Sequence, residues 1–436
     1  MFKKLKSMLS LVLATAFVFA LSTSAFSAAS KTLAKGNWDP NTRDQIQQMI
    51  DRNGNSNKFK TYDVNKKPYA VFDWDQTCIF NDTEEALFRY MIDNVKFKAT
   101  PSEFAQALKQ QIPDVKKNFG KDFNNKAGQP TNLALFSEDL NKDYKFIYDN
   151  YIKSQKMSLA DLQKTNQFLD WRAKFATLYE AVGDTFDAAT SYPWVLYFFV
   201  GMTPAEVAAV SEESNDAAFK APIGKFTWTS PDALPGKAGV ISYSFKSGLR
   251  IEKEMSDLMA VLRANGIDVY VCSASHEEVV KVFAGLSKYG YNVPPENVIG
   301  MKTKLKDGKF LAEYDYSNGY PQTQGKGKTT AITNILVKKY GYGPLFIASD
   351  SSGDRDMAID FPDTQLTLMI NRLYANAYGK LGLVAYKAYQ QKITPRFVLQ
   401  GRDENQGQFR PSMKTIKMGQ KEEALFHKDI DPTIKK

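Results

Sequence analysis

The sequence predicts an α/β fold, a parallel sheet alternating with helices and interrupted after its first strand by a large, mainly helical insertion. Three observations predict it. Short apolar runs of strand length, at 69–72, 267–272, 344–348 and 366–370, are followed by polar clusters, the pattern of buried parallel strands whose carboxyl ends open on a site. Stretches with apolar residues at helical spacing lie between them, among them Ile251, Met255, Leu258, Met259 and Leu262. From 81 to 248 the alternation stops and a long stretch rich in aromatics takes over, with Trp171, Tyr192, Trp194, Tyr197, Phe198, Phe199 and Trp228.

The chain has 436 residues, 43% hydrophobic and 24% charged, enough for two or three domains. Lys3, Lys4 and Lys6 precede an apolar run from Met8 to Leu21, and small residues follow through Ser30. This is the pattern of a secretory signal peptide, expected over residues 1–28. The run is too short and too near the terminus for a membrane anchor, and no cysteine is there for lipid attachment. The mature protein is therefore expected outside the cytoplasm, with no stable membrane insertion. Removing the signal takes three lysines from a net charge of +9 and leaves +6. Basic residues are scattered among acids and form no stripe interleaved with aromatics, so nucleic acid is not an expected partner. The two cysteines are Cys78 and Cys272. Export permits a bridge between them, and separate buried thiols are the alternative.

Asp73 and Asp75 stand where the first apolar run, Tyr69 to Phe72, leaves the sheet. Residues at i and i+2 point the same way, so both carboxylates face one ligand. Two carboxylates this close repel unless a cation or a proton relieves them. A hard divalent cation such as Mg²⁺, bound by oxygen ligands, meets that need; taken alone, the pair also reads as a polar turn.

A short helix is expected over 41–52, ahead of the core. Asp82 occupies an N-cap position with Glu85 three residues on, ahead of a helix with Leu87, Phe88, Met91, Ile92 and Val95 on one stripe. A hairpin over 224–245 closes the insertion. The helix at 251–262 ends at Gly266, and the strand at 267–272 runs into Ser273, after which Ser275 and Glu278 read as a capping box. A hairpin turns at Asp307-Gly308, and Gly327-Lys328 opens a helix through Ile332 and Leu336. Asp350 and Asp354 follow the strand at 344–348. The polar stretch from 396 reads as a tail.

Several chemistries lack their residues. The two histidines are His276 and His427, so no multi-histidine metal site can be built, and Val280 stands where a His-Glu-x-x-His motif needs its second ligand. Neither cysteine has an arginine six residues later, as a cysteine-dependent phosphatase loop requires. No Gly-x-Ser-x-Gly elbow presents a serine nucleophile. Gly327-Lys328-Thr329 lacks the glycine of a nucleotide-binding phosphate loop at 322, which is Gln322.

Four clusters remain, in a fixed order: Asp73 with Asp75, then Ser273, then Lys328, then Asp350 with Asp354. Their order and setting resemble the four motifs of the haloacid dehalogenase superfamily of phosphatases, over Tyr69 to about Arg372. The insertion falls where that superfamily places a helical cap. Among its branches the chain is most similar to the phosphoserine phosphatase group, and an exported member with a bulky cap is similar to the bacterial phosphorylcholine phosphatases. Ser349 departs from the pattern, which usually has glycine before the first aspartate of the fourth motif.

The resemblance implies a Rossmann-like core of residues 29–80 and 249–395, a cap of residues 81–248 and a tail of residues 396–436. It implies Asp73 as nucleophile, forming an aspartyl-phosphate, and Asp75 as general acid and then base. Ser273 and Lys328 would bind phosphoryl oxygens, with Lys326 competing with Lys328 for the third motif. Mg²⁺ would be held by Asp73, the backbone carbonyl of Asp75 and Asp350, with Asp354 either a ligand through water or an orienter of Lys328. Asp82 is either a helix cap or an acid that meets a substrate's amino group. Trp74, Trp171, Tyr192, Trp194 and Trp228 are candidates for holding a quaternary ammonium by cation–π attraction. The expected protein is an exported, Mg²⁺-dependent phosphomonoesterase for a small phosphate ester, phosphocholine first. Its rivals are a phosphoserine or broad-range acid phosphatase and a noncatalytic phosphoester-binding protein.

Overall fold

A computed structural model describes residues 31–57 and 61–431; the signal peptide expected over 1–28 lies outside them. Helix α1 (Pro40–Asn53) leads to β1 (Tyr69–Phe72) and the two-residue strand β2 (Ile79–Phe80). Seven helices follow: α2 (Thr83–Asn94), α3 (Pro101–Lys109), α4 (Leu133–Ile147), α5 (Leu159–Leu162), α6 (Asn166–Thr185), α7 (Ala188–Trp194) and α8 (Pro204–Lys220). The hairpin β3 (Gly224–Thr229) and β4 (Ser242–Ser247) closes this run before β5 (Arg250–Ile251). Alternation then resumes with α9 (Lys253–Ala264), β6 (Asp268–His276), α10 (Glu277–Gly285), β7 (Val298–Met301) and the hairpin β8 (Thr303–Lys306) and β9 (Lys309–Tyr314). It continues with α11 (Lys326–Ile332), α12 (Lys338–Tyr340), β10 (Phe346–Ser349), α13 (Arg355–Asp360), β11 (Leu366–Ile370), α14 (Ala377–Gln391) and β12 (Phe397–Gln400). Four short strands end the chain: β13 (Arg402–Asp403), β14 (Gln408–Phe409), β15 (Thr415–Ile416) and β16 (Glu423–Ala424).

The core is a six-stranded parallel sheet in the order β12-β11-β10-β1-β6-β7. Its strands are buried and mainly apolar because helices cover both faces. Leaving β1 the chain builds one side of the sheet, β6 and β7, and then crosses to build the other, so strand order reverses beside β1. In open α/β sheets a ligand crevice lies at such a reversal.

The helices between β2 and β5 build most of one hydrophobic cluster, in which Phe88, Phe104, Tyr144, Trp171, Phe175, Trp194 and Phe198 interleave and which continues into Val279, Met301, Phe310 and Tyr314. Asp82 caps α2 by accepting from the Glu85 amide at 2.9 Å, and Leu87, Phe88, Met91 and Ile92 are buried along one stripe. Each such side chain contributes about 1.5–3 kcal/mol of burial. The segment leaves and re-enters the sheet side by side, because β2 pairs antiparallel with β5.

Of the tail expected over 396–436, the described part, 396–431, is folded onto the core. Phe397–Gln400 is fully buried and pairs parallel with β11 as the edge strand of the core sheet, after α14 makes the crossover. The next residues fold into a four-stranded sheet, order β14-β13-β15-β16, packed beside the core. Phe397-Val398-Leu399 is too brief an apolar run to stand out, and the strands after it are two residues each. Cys78 and Cys272 are free, buried thiols. Among the described residues no single helix is long and apolar enough to cross a membrane.

Candidate active site

The carboxyl ends of the neighbouring strands β1, β6 and β10 carry Asp73, Ser273 and Asp350. The Asp73 amide donates to the Ala348 carbonyl at 3.0 Å, so the turn after β1 is tied to β10. Thr77, fully buried, bridges the two acidic motifs: its hydroxyl donates to Asp73 Oδ2 at 2.6 Å and lies 3.3 Å from Asp350 Oδ1.

Lys328 arrives from α11. Gly327 before it has to be glycine, since a Cβ there would stand 1.8 Å from the Gln322 carbonyl oxygen. The Lys328 ammonium is buried and donates to Asp73 Oδ1 at 2.5 Å and to Asp354 Oδ1 at 2.6 Å. Lys326, by contrast, is exposed and pairs with Asp360 at 2.6 Å. Of the two lysines left open by the sequence, Lys328 therefore reaches the carboxylates. Asp354 Oδ2 accepts from the amides of Asp350 and Ser351, both at 3.2 Å, and so holds its own loop closed.

Oxygen atoms of Asp73, Asp350 and Asp354 all lie within 4.8 Å of one another, buried. The Asp75 side chain is not in this group. Its Oδ1 accepts from the Thr83 amide at 2.7 Å and its Oδ2 from the Ser275 hydroxyl at 2.7 Å, which leaves the backbone carbonyl as its expected donor. Ser275 thus does not cap α10; His276 takes that position, its ring accepting from the Glu278 amide at 3.3 Å. The Ser273 hydroxyl accepts from the Ser275 amide at 3.1 Å.

Burial pushes the Asp73 carboxyl well above its ordinary range, with the Asp354 charge adding to it against Lys328. Burial also raises Asp75, against the Thr83 and Ser275 bonds that lower it. At Asp350 burial is overridden by Arg372, whose guanidinium contacts the carboxylate and holds it below the ordinary range. The Lys328 ammonium is held strongly protonated, since Asp354 and Asp73 outweigh its burial.

These groups open into a cavity of about 480 Å³ between the sheet and the inserted helices. The inserted segment lines it with Asp82, Glu84, Glu85, Tyr179, Glu180, Asp184 and Tyr192, and the loop after β11 with Arg372 and Tyr374. Glu85 is paired with Arg89 at 3.2 Å. Glu180 is pushed up to about 6 by burial and by the neighbouring Glu85 charge. Asp82 lines the cavity as well as capping α2, so its two readings are compatible.

Of the five aromatic candidates, Tyr192 reaches the cavity. Trp74 does not: it is fully buried against Phe283 and Tyr291, its indole donating to the Thr83 hydroxyl at 3.2 Å. The reason is alternation, since a residue between two that face the site points away from it. Trp171 and Trp194 are fully buried in the helical cluster, and Trp228 packs on Arg172 and Phe245. Tyr179, Tyr374 and Arg372 were not anticipated. The first shares a helix with Trp171 and carried no signal of its own; the other two follow β11, where a polar turn at a strand's carboxyl end was a usable cue.

No family model matches the chain. Phosphorylcholine phosphatase of Pseudomonas aeruginosa is 40% identical over 123 residues, 28% of this chain and 32% of that protein, so the match spans about a third of the relative's length. A conserved, functionally unknown protein of Anaerococcus prevotii has a crystal structure that superposes at TM-score 0.82, with 31% identity over 89% of this chain and 99% of its own. The identity and coverage make the Anaerococcus prevotii protein a relative of this chain over nearly its whole length. A phosphoserine phosphohydrolase-like protein of Francisella tularensis, 14% identical over 70% of this chain and 87% of its own at TM-score 0.30, is too distant to bear on function.

Within the haloacid dehalogenase pattern, Ser349 is the departure, and the structure accommodates it. The Ser349 hydroxyl is fully buried and shares a hydrogen bond of 2.8 Å with Tyr378 of α14. A buried hydroxyl without a partner would cost about 1–3 kcal/mol, so Tyr378 is what makes serine tolerable.

Proposed function

We propose that the protein is a Mg²⁺-dependent phosphomonoesterase that works through an aspartyl-phosphate on a small, cationic phosphate ester, phosphocholine first. The observation that carries the reading is the convergence of Asp73, Asp75, Ser273 and Lys328 on one cavity, with Asp350 and Asp354 beside them. Asp73 attacks phosphorus and takes the phosphoryl group as a mixed anhydride. Asp75, with burial raising its carboxyl, gives its proton to the leaving alkoxide and then takes one from the hydrolytic water. Ser273 and Lys328 bind phosphoryl oxygens and spread the charge that builds there.

The donor set fits a hard divalent cation. Asp73, Asp350 and Asp354 offer oxygen atoms alone, and Lys328 and Arg372 are the cations in contact with them. Asp73, Asp350 and the Asp75 carbonyl would hold Mg²⁺, with Asp354 orienting Lys328, whose ammonium it accepts. Bound there, the ion screens an anionic nucleophile from an anionic substrate.

Asp82, Glu180 and Asp184 give the cavity wall carboxyl groups, with Tyr179 and Tyr192 among them, and burial holds the Asp82 carboxyl well above its ordinary range. That combination suits a quaternary or primary ammonium, and the relative from Pseudomonas aeruginosa carries phosphorylcholine in its name. The helices between β2 and β5 act as the cap over this site, and the protein works outside the cytoplasm after export. Phosphate release with Mg²⁺ from phosphocholine, phosphoethanolamine, phosphoserine and a nitrophenyl ester tests the reading. Preference for phosphocholine, lost in Asp73→Asn, is expected. Better turnover of phosphoserine discards the substrate, and no release from any ester discards the activity.

A further inference from the structure

We propose that Arg402 is a positioning residue for the turn that carries Asp73 and Asp75, so that the small C-terminal sheet is a working part of the centre; this rests on the reading of that centre given above. Gln76, next to Asp75, has left-handed backbone at φ 65°, a conformation that a residue with a side chain keeps only where its surroundings enforce it. Both of its peptide groups are held. Its N–H donates to the Asn81 carbonyl at 3.1 Å, and its carbonyl accepts from Arg402 Nη1 at 3.3 Å. A residue pinned at both ends cannot turn about φ and ψ, and that fixes the preceding peptide, whose oxygen is the Asp75 carbonyl.

Arg402 is 1% exposed and opens β13. Its Nη2 donates to Glu404 Oε1 at 2.9 Å and its guanidinium lies 5.2 Å over the Phe80 ring. Glu404 also takes the Lys417 ammonium at 3.0 Å and the Met418 amide at 3.2 Å. The same sheet reaches the other acidic turn: Thr415 donates to the Asn371 carbonyl at 2.6 Å and Lys417 to the Arg372 carbonyl at 3.4 Å, and Arg372 contacts Asp350. Burying an arginine for stability alone is inefficient, because a well-packed apolar group does as well. Its fork, spanning a carboxylate and a peptide carbonyl, is suited to fixing geometry.

Arg402→Lys in the full chain tests this, since one ammonium keeps a charge for Glu404 but cannot span both acceptors. We expect the melting temperature to stay within a few degrees. In the metal-free protein, amide exchange over residues 74–82 should quicken about tenfold, and on adding Mg²⁺ its calorimetric affinity and kcat should each fall about tenfold with KM little changed. Gln76→Gly, which frees the turn and leaves Arg402 in place, should move exchange and affinity the same way. Wild-type exchange and Mg²⁺ affinity in a folded Arg402→Lys protein overturn the proposal; if that variant melts, wild-type values in Gln76→Gly overturn it. Failure of the wild-type protein to release phosphate sinks the reading of function instead, while exchange over 74–82 still decides the role of Arg402.

Discussion

Ser275 donates its hydroxyl proton to Asp75 Oδ2 at 2.7 Å, joining the carboxyl end of β6 to the turn after β1 across 200 residues of sequence. The bond lowers an Asp75 carboxyl that burial otherwise raises. A hydrogen bond to a charged group is worth about 1.5–3 kcal/mol. Ser275→Ala is therefore expected to cut kcat by about tenfold or more and to move upward the alkaline limb of the kcat/KM profile, where Asp75 loses the proton it gives the leaving alkoxide. A profile that keeps its position removes Ser275 from the proton-handling role of Asp75.

Lys328 and Lys326 lie two residues apart and should behave oppositely. Lys328→Met strands Asp73 and Asp354 without their buried cation, which costs about 3–5 kcal/mol, and should abolish turnover. Lys326→Ala breaks an exposed pair with Asp360, and both Tm and kcat should stay near wild type. Urea melts and phosphate-release rates of the two variants settle which lysine belongs to the third motif.

Choline as a competitive inhibitor isolates the cation-binding wall from titration of the ester. With Glu180 raised to about 6, its charge is present above that pH and lost below it. The inhibition constant should rise as pH falls through 6, and the part of that rise due to Glu180 should vanish in Glu180→Gln. Equal slopes in the two proteins would mean that the wall does not use Glu180.

Inside the inserted helices Lys174 is fully buried and donates to Asp139 at 2.9 Å, Asp170 at 2.7 Å and the Pro235 carbonyl at 3.0 Å. Burial and the neighbouring Asp170 carboxylate push Asp143 up to about 9. Lys174→Met should cost about 3–5 kcal/mol, read by thermal unfolding, while folded variant keeps the wild-type KM.

The sequence carried the sheet and its chemistry because parallel strands write themselves as apolar runs and their carboxyl ends as polar clusters. Asp73, Asp75, Ser273, Lys328, Asp350 and Asp354 were legible for that reason, and the structure gathers all six around one cavity. Trp74 was misread although alternation, the argument used for Asp73 and Asp75, also turns the residue between them away. Ser275 was misread because a capping box and an Asp75 partner call for the same side chain. Arg372 and Arg402 were missed because their partners lie 22 and 326 residues away, and no local pattern announces such a bond. The edge strand at Phe397–Gln400 was lost in a polar stretch, since four residues are too few to show a period.

The pairing of β2 with β5, reinforced where Asn81 donates to the Gly248 carbonyl at 2.6 Å, brings both ends of the helical segment to one spot. That spot is a socket. Closing a longer or shorter loop there changes the chain entropy only slowly with length, and the β1 turn bearing Asp73 is not displaced by what is plugged in. A cassette of different composition can therefore be fitted over the same carboxylates, and the selectivity of the cavity can change without a new catalytic floor.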